Sequence, residues 1–189
     1  MKKIILASQS PRRKQLLEWA EIPFDIIIKE TPEDYPTGLS VEETAMHIAK
    51  QKALAVQQTK VDDAIILAAD TIVVLDANII GKPKDRQDAI NILTSLSGKK
   101  HTVITGVCIM AAGKEILFAD ATDVYFHHLS LEQIIFYVDK YQPYDKAGAY
   151  AIQEWIGVVG IEKVKGDFYN VMGLPVSRVV KELETVLSS

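Results

Sequence analysis

Apolar and polar positions fall into blocks along this chain, and the blocks predict interspersed strands and helices. Residues 2–7 (K-K-I-I-L-A) are a short β-branched run that reads as a strand. Ser10 is a good N-cap and Pro11 the favoured first helical residue, so a helix is expected to run from there through Leu16, Leu17 and Trp19. Residues 24–29 (F-D-I-I-I-K) predict a second strand, followed by a loop over 30–38 with Pro32 and Pro36. Ser40-Val41-Glu42-Glu43 is a capping box opening a helix to about Gln58, with Ala45, Ile48, Ala49 and Val56 on its apolar row. Residues 64–69 and 72–75 are strongly apolar, Asp76-Ala77-Asn78 predicts a hairpin turn, and Ile79-Ile80 a return strand.

Further along, residues 85–97 predict an amphipathic helix with Ala89, Ile90, Leu93 and Leu96 inward, stopped by Gly98. Residues 101–111 and 115–127 read as an antiparallel pair around Ala112-Gly113-Lys114, which would set His127 and His128 on opposite faces. Ser130-Leu131-Glu132-Gln133 is a second capping box, opening a helix to about Lys140. Residues 144–148 predict a loop, 150–155 a short helix, and 158–164 a strand. A last helix carries Val176, Val179, Val180, Leu183 and Leu187 on one face. Helices interspersed with strands and at least one hairpin imply an α/β fold with a mixed sheet.

Composition adds limits rather than a function. The 189 residues suggest one domain, 1–189, with room for a sizeable core. Net charge is −4, so bulk nucleic-acid binding is not expected and any positive site must be local. The single Cys108 lies in an apolar run and is expected buried. Only residues 4–7 follow Lys2 and Lys3 before polar Ser8, too short for a signal peptide's apolar region, and no run approaches the roughly 20 apolar residues of a membrane span. A cytoplasmic protein with no membrane partner is the expectation.

Two places ask for chemistry. Arg12 and Arg13 occupy a helix's first turn, where the backbone already carries about half a positive charge. Two cations there are unexplained by helix stability; a bound anion held by the free N–H groups, Ser8, Ser10 and two guanidinium forks would explain them. The alternative is a capped helix whose arginines point to water. Asp70 sits between two apolar runs, and an unpaired buried carboxylate is too costly to persist. It either caps a turn at a strand end or meets a cation, a metal or a proton. Lys52 lies on an otherwise apolar helical row, as a snorkelling stem or as a lysine aimed into a cleft. Lys82 follows the return strand and could come back near Asp70, the register being open. There is no G-x-x-x-x-G-K-[ST], G-x-G-x-x-G or G-x-S-x-G, and no zinc spacing among His47, His101, His127 and His128.

Six stretches in order resemble the Maf family of nucleoside triphosphate pyrophosphatases. They are Ser8-Gln9-Ser10-Pro11-Arg12-Arg13 with Leu16-Leu17; Ala69-Asp70-Thr71; Gly81-Lys82-Pro83; Leu96-Ser97-Gly98 with His101 to Gly106; Tyr144 to Gln153; and Asn170 with Gly173-Leu174-Pro175. The resemblance implies a mixed, twisted central sheet flanked by helices, with two lobes and a cleft between them, as in Maf and ITPase-like proteins. It implies hydrolysis of a nucleoside triphosphate to monophosphate and pyrophosphate with Mg2+ or Mn2+. At its matching position Asp70 would be the base for the attacking water; it would also serve as a metal ligand, with Glu33 as a second carboxylate. Ser8, Ser10, Arg12, Arg13, Lys52 and Lys82 would hold the phosphates. Arg12, Thr71 and Gln153 resemble the branch acting on dTTP and UTP. A methylated-GTP pyrophosphatase and a non-hydrolytic nucleotide sensor are the alternatives. The partner expected is a small nucleotide, and a homodimer is implied by resemblance alone.

Overall fold

The computed structural model describes residues 2–59, 63–111 and 113–187. Its elements begin with β1 (Lys3–Leu6), α1 (Pro11–Trp19), β2 (Asp25–Ile26), α2 (Val41–Gln57) and β3 (Ala64–Leu75). β4 (Asn78–Ile80), α3 (Arg86–Leu96), β5 (Lys100–Ala111), β6 (Lys114–Phe126) and α4 (Leu131–Tyr141) follow. After a 3-10 turn at Ala147–Ala149 come α5 (Trp155–Gly160), β7 (Ile161–Lys165), α6 (Phe168–Met172) and α7 (Val176–Leu187). The strands form a mixed sheet in the order β2-β1-β3-β5-β6-β7, with β4 also on β3. β1 is parallel to β2 and β3, whereas β3–β4 and β6–β7 are antiparallel. This is the mixed α/β sheet that the blocks predict, with the flanking helices that the resemblance implies.

The chain divides into two compact units. Unit 1 is Met1–Thr71, Thr105–Asp120 and Gly173–Ser189; unit 2 is Ile72–Ile104 and Ala121–Met172. The core of unit 1 sets Ala49, Ala53 and Val56 of α2 against Ile5, Ala7, Ile66, Ala68, Cys108 and Met110 of the sheet. Small residues on that helical face let the backbone come close. At Gly106 the approach is closest: a Cβ there would sit 2.3 Å from the Ala45 carbonyl carbon. Burial also pushes the Cys108 thiol up to about 12, as an inert core cysteine should be.

Unit 2 packs α3 through Ala89, Ile90, Leu93 and Leu96, and α4 through Ile134, Tyr137 and Val138. His101, Phe126 and Tyr150 form an edge-to-face triangle with centroids 5.0–5.4 Å apart. The β3–β4 turn places Asp76 (φ 50°) and Ala77 (φ 66°) in the left-handed region, the twist a two-residue hairpin demands.

Local structure departs from the sequence expectation in a few places. The strand expected over 24–29 is only Asp25–Ile26: it pairs as Ile5↔Asp25 and Leu6↔Ile26, and β1 ends at Leu6. The helix expected over 150–155 begins where that one was to end, and the strand expected from 158 starts at Ile161. Here local turn geometry wins over β-branched propensity: the Glu154 amide closes on Ala151 O, the Gly157 amide on Glu154 O, and Gly157 lies so close to this turn that a Cβ would collide with the Ile152 carbonyl. β6 ends at Phe126, so His127 and His128 follow the strand, both exposed. Val186, rather than Leu187, faces the core on α7. Ala112, expected in the β5–β6 turn, lies outside the described residues.

Candidate active site

In unit 1 the parallel register carries two chemical segments to one place. Ile5↔Ile66 and Leu6↔Leu67 pair, and the Ala7 amide donates to Leu67 O at 2.8 Å. Residues 8–13 therefore emerge beside Asp70 and Thr71, where parallel strands open toward a helix N-terminus. Ser10 caps α1, its hydroxyl accepting from the Arg13 amide at 3.4 Å, and Pro11 takes the first helical position.

Arg13 turns inward from that first turn. It is buried, and its fork donates to Gly173 O (2.7 Å), Ser8 Oγ (3.1 Å) and Thr71 Oγ1 (2.9 Å). Gly173 can hold its carbonyl there because its φ of +119° is open to glycine. Burial lowers the guanidinium's pKa from 12.5 to about 10, with Asp70 pulling it back up, Arg12 adding to the depression and Glu33 opposing it. It remains fully charged at neutral pH. Three of its donors are thus engaged by protein, and Arg13 ties α1, β3 and the entry to α7 together. Arg12, its neighbour, is half-buried on α1.

Ser8 Oγ accepts from both Arg13 and the Ser10 amide (3.2 Å). A hydroxyl with both lone pairs taken has its own hydrogen left to give, which suits an anion. Thr71 Oγ1 accepts from Arg13 and lies 3.0 Å from Thr105 Oγ1.

Asp70 meets a cation. Its side chain is 14% exposed, and Lys52 Nζ lies 2.6 Å from Oδ1. The same ammonium lies 3.1 Å from Glu33 Oε1. Lys52 is on the α2 row that packs on the sheet, so its ammonium is directed at Asp70. Two carboxylates from a loop and a strand therefore converge on one positive charge. These are hard oxygen donors, suited to Mg2+ or Mn2+. Among the described residues no group of three His, Cys, Asp or Glu could hold a metal. A divalent cation bound by this pair would complete its shell from other oxygens, as magnesium commonly does with one or two carboxylates.

The remaining two candidates belong to unit 2. Lys82 is exposed, next to Gly81, whose carbonyl accepts from the Gly148 amide at 3.1 Å. Gln153 is exposed in a turn closed by the Glu154 amide on Ala151 O at 3.1 Å. Thr105 and Gly173 enter the sequence reading only as members of matched stretches; the structure makes both of them partners of the Arg13–Thr71 cluster. Nothing in the sequence marks Gly173 for this role; its positive φ and its carbonyl's contact with Arg13 are seen only in the fold.

Comparison with known proteins gives one family. A family model described as "Maf-like protein" matches residues 3–186. The dTTP/UTP pyrophosphatase of Porphyromonas gingivalis is 46% identical over 185 residues, covering 96% of this chain and 93% of its own. The protein of that name from Parabacteroides distasonis is 47% identical over 183 residues, covering 96% and 95%. The one from Cytophaga hutchinsonii is 50% identical over 185 residues, covering 98% and 84%.

Proposed function

This chain belongs to the Maf family, and from that premise we propose that it hydrolyses dTTP and UTP to the nucleoside monophosphate and pyrophosphate. The observation that carries the reading is the Asp70–Lys52–Glu33 cluster set beside the Ser8–Arg13 helix start. It puts an acceptor, cations and anion-seeking donors within one neighbourhood of unit 1. The names of the relatives supply the substrate class.

In this reading water attacks the α-phosphorus, the bond to the bridging oxygen breaks, and pyrophosphate leaves. Asp70, an acceptor only when ionised, takes the water's proton. Lys52 holds the Asp70 carboxylate in place and balances phosphate charge. Ser8, Ser10, Arg12 and Lys82 bind phosphate oxygens, and Arg13 keeps Ser8 and Thr71 in position for it. Arg12, Thr71 and Gln153 read the pyrimidine, the Gln153 carboxamide offering both a donor and an acceptor. Asp70 and Glu33 would hold Mg2+ or Mn2+, which when bound supplies charge stabilisation to the phosphates.

The test is product identification. The protein is incubated with dTTP, UTP and methylated GTP in the presence of magnesium, and the products are separated. Pyrophosphate and monophosphate from dTTP and UTP are expected. Orthophosphate with diphosphate, preference for methylated GTP, or intact nucleotide would each overturn the reading. Asp70→Asn is expected to lower kcat about 10²- to 10⁴-fold with nucleotide binding retained, the range for losing a general base; an unimpaired variant would remove Asp70 from that role.

A further inference from the structure

Gln153 is exposed, yet the turn that presents it is held by buried groups that neither the resemblance nor the relatives' names assign. Tyr137, on α4, is fully buried. Its hydroxyl accepts from the Ala151 amide at 3.1 Å and donates to the Glu154 carboxylate in a close contact. One phenol oxygen thus staples both ends of the stretch 151–154. The same stretch is closed by the Glu154 amide on Ala151 O, and Gly157 fits against the Ile152 carbonyl with no space for a Cβ. Tyr150, Ala151 and Ile152 are all buried, so Gln153 is the side chain this turn turns outward.

The charges are arranged to the same end. Glu154 stands at the N-cap position of α5 but makes no capping bond. Its second oxygen instead lies 3.7 Å from Lys146 Nζ, a buried ammonium that also meets Asp145 at 2.8 Å. A glutamate that forgoes its cap for a tyrosine and a lysine is fixing its own backbone, one residue from Gln153. Tyr137 is fixed in turn: α4 starts with a full capping box at Ser130 and Gln133, and the Tyr137 ring stacks on Tyr141 at 5.0 Å.

We infer that Tyr137 and Glu154 are positioning residues for substrate selectivity, holding the 151–154 turn so that Gln153 meets the pyrimidine edge at hydrogen-bond distance. The inference rests on the proposed base-reading role of Gln153. A displacement of about 1 Å in a positioned group can cost on the order of 100-fold; because Gln153 is assigned to the base and not to the reacting phosphorus, that cost is expected in discrimination between bases.

The experiment compares kcat/KM for UTP and CTP in wild type, Tyr137→Phe, Glu154→Ala, Glu154→Gln, Gln153→Ala and the Tyr137→Phe/Gln153→Ala double variant, with circular dichroism to confirm folding. The UTP:CTP ratio is expected to fall about 10- to 100-fold in Tyr137→Phe and in Glu154→Ala, chiefly through KM for UTP. Glu154→Gln, which keeps an acceptor for the phenol, should retain most of the ratio. The double variant should be no less selective than Gln153→Ala alone, since the two act through one contact. A purely structural loss would lower both substrates together and leave the ratio unchanged; that result, in folded Tyr137→Phe or in Glu154→Ala, overturns the inference. If Gln153→Ala keeps the wild-type ratio, or the wild type does not turn over UTP, the reading beneath it fails as well.

Discussion

Replacing Arg13 by methionine separates a structural clamp from a phosphate ligand. The variant keeps an unbranched stem of similar volume and deletes every donor. Three bonds from a charged donor are worth roughly 1.5–3 kcal/mol each, so about 5–9 kcal/mol before costs. Against this, the fall in its pKa from 12.5 to about 10 corresponds to roughly 3 kcal/mol disfavouring the buried charge. The difference, with the Gly173 carbonyl left without this donor, gives a destabilisation of about 2–6 kcal/mol for Arg13→Met, in line with breaking other buried charged contacts. Urea denaturation followed by circular dichroism reads this directly as a lower midpoint at unchanged slope. The pH dependence provides a second check. A base whose folded pKa lies below its unfolded value is protonated in both states until pH nears 10, so the gap between wild type and variant should be flat from about pH 6 to 9. A loss under about 0.5 kcal/mol, with KM for the nucleotide raised instead, would refute the clamp and return Arg13 to the phosphate.

Gly106→Ala should be among the most damaging single-methyl additions in unit 1, costing about 3 kcal/mol or more by thermal denaturation, because the new Cβ would meet the backbone of Ala45 at 2.3 Å and backbone cannot swing aside. His101 predicts a pH window. Burial lowers its pKa from 6.5 to about 4, so the unfolded chain takes up a proton first as pH falls. Stability present above about pH 6.5 should decline toward pH 4, by at most roughly 3 kcal/mol from this group, and a His101→Gln variant should lose that part of the slope in urea midpoints measured across the window.

Much of the fold was legible along the chain because its signals are local. Ser10 before Pro11 and the capping boxes at Ser40 and Ser130 each act within four residues, and each starts a helix where expected. The apolar rows of α2 and α3 likewise needed only a 3.6-residue period. Of the chemistry, the sequence could say that Asp70 needs a countercharge and that two arginines crowd a helix start. It could not say which of those charges faces which. That Lys52 serves both Asp70 and Glu33, and that Arg13 spends its fork on residues 58 and 160 positions away, was decided only when β1 and β3 paired in parallel and α2 settled on the sheet. Periodicity and caps are properties of neighbours in sequence, whereas the partner of a buried charge is chosen by proximity in space, where leaving it unpaired would cost several kcal/mol.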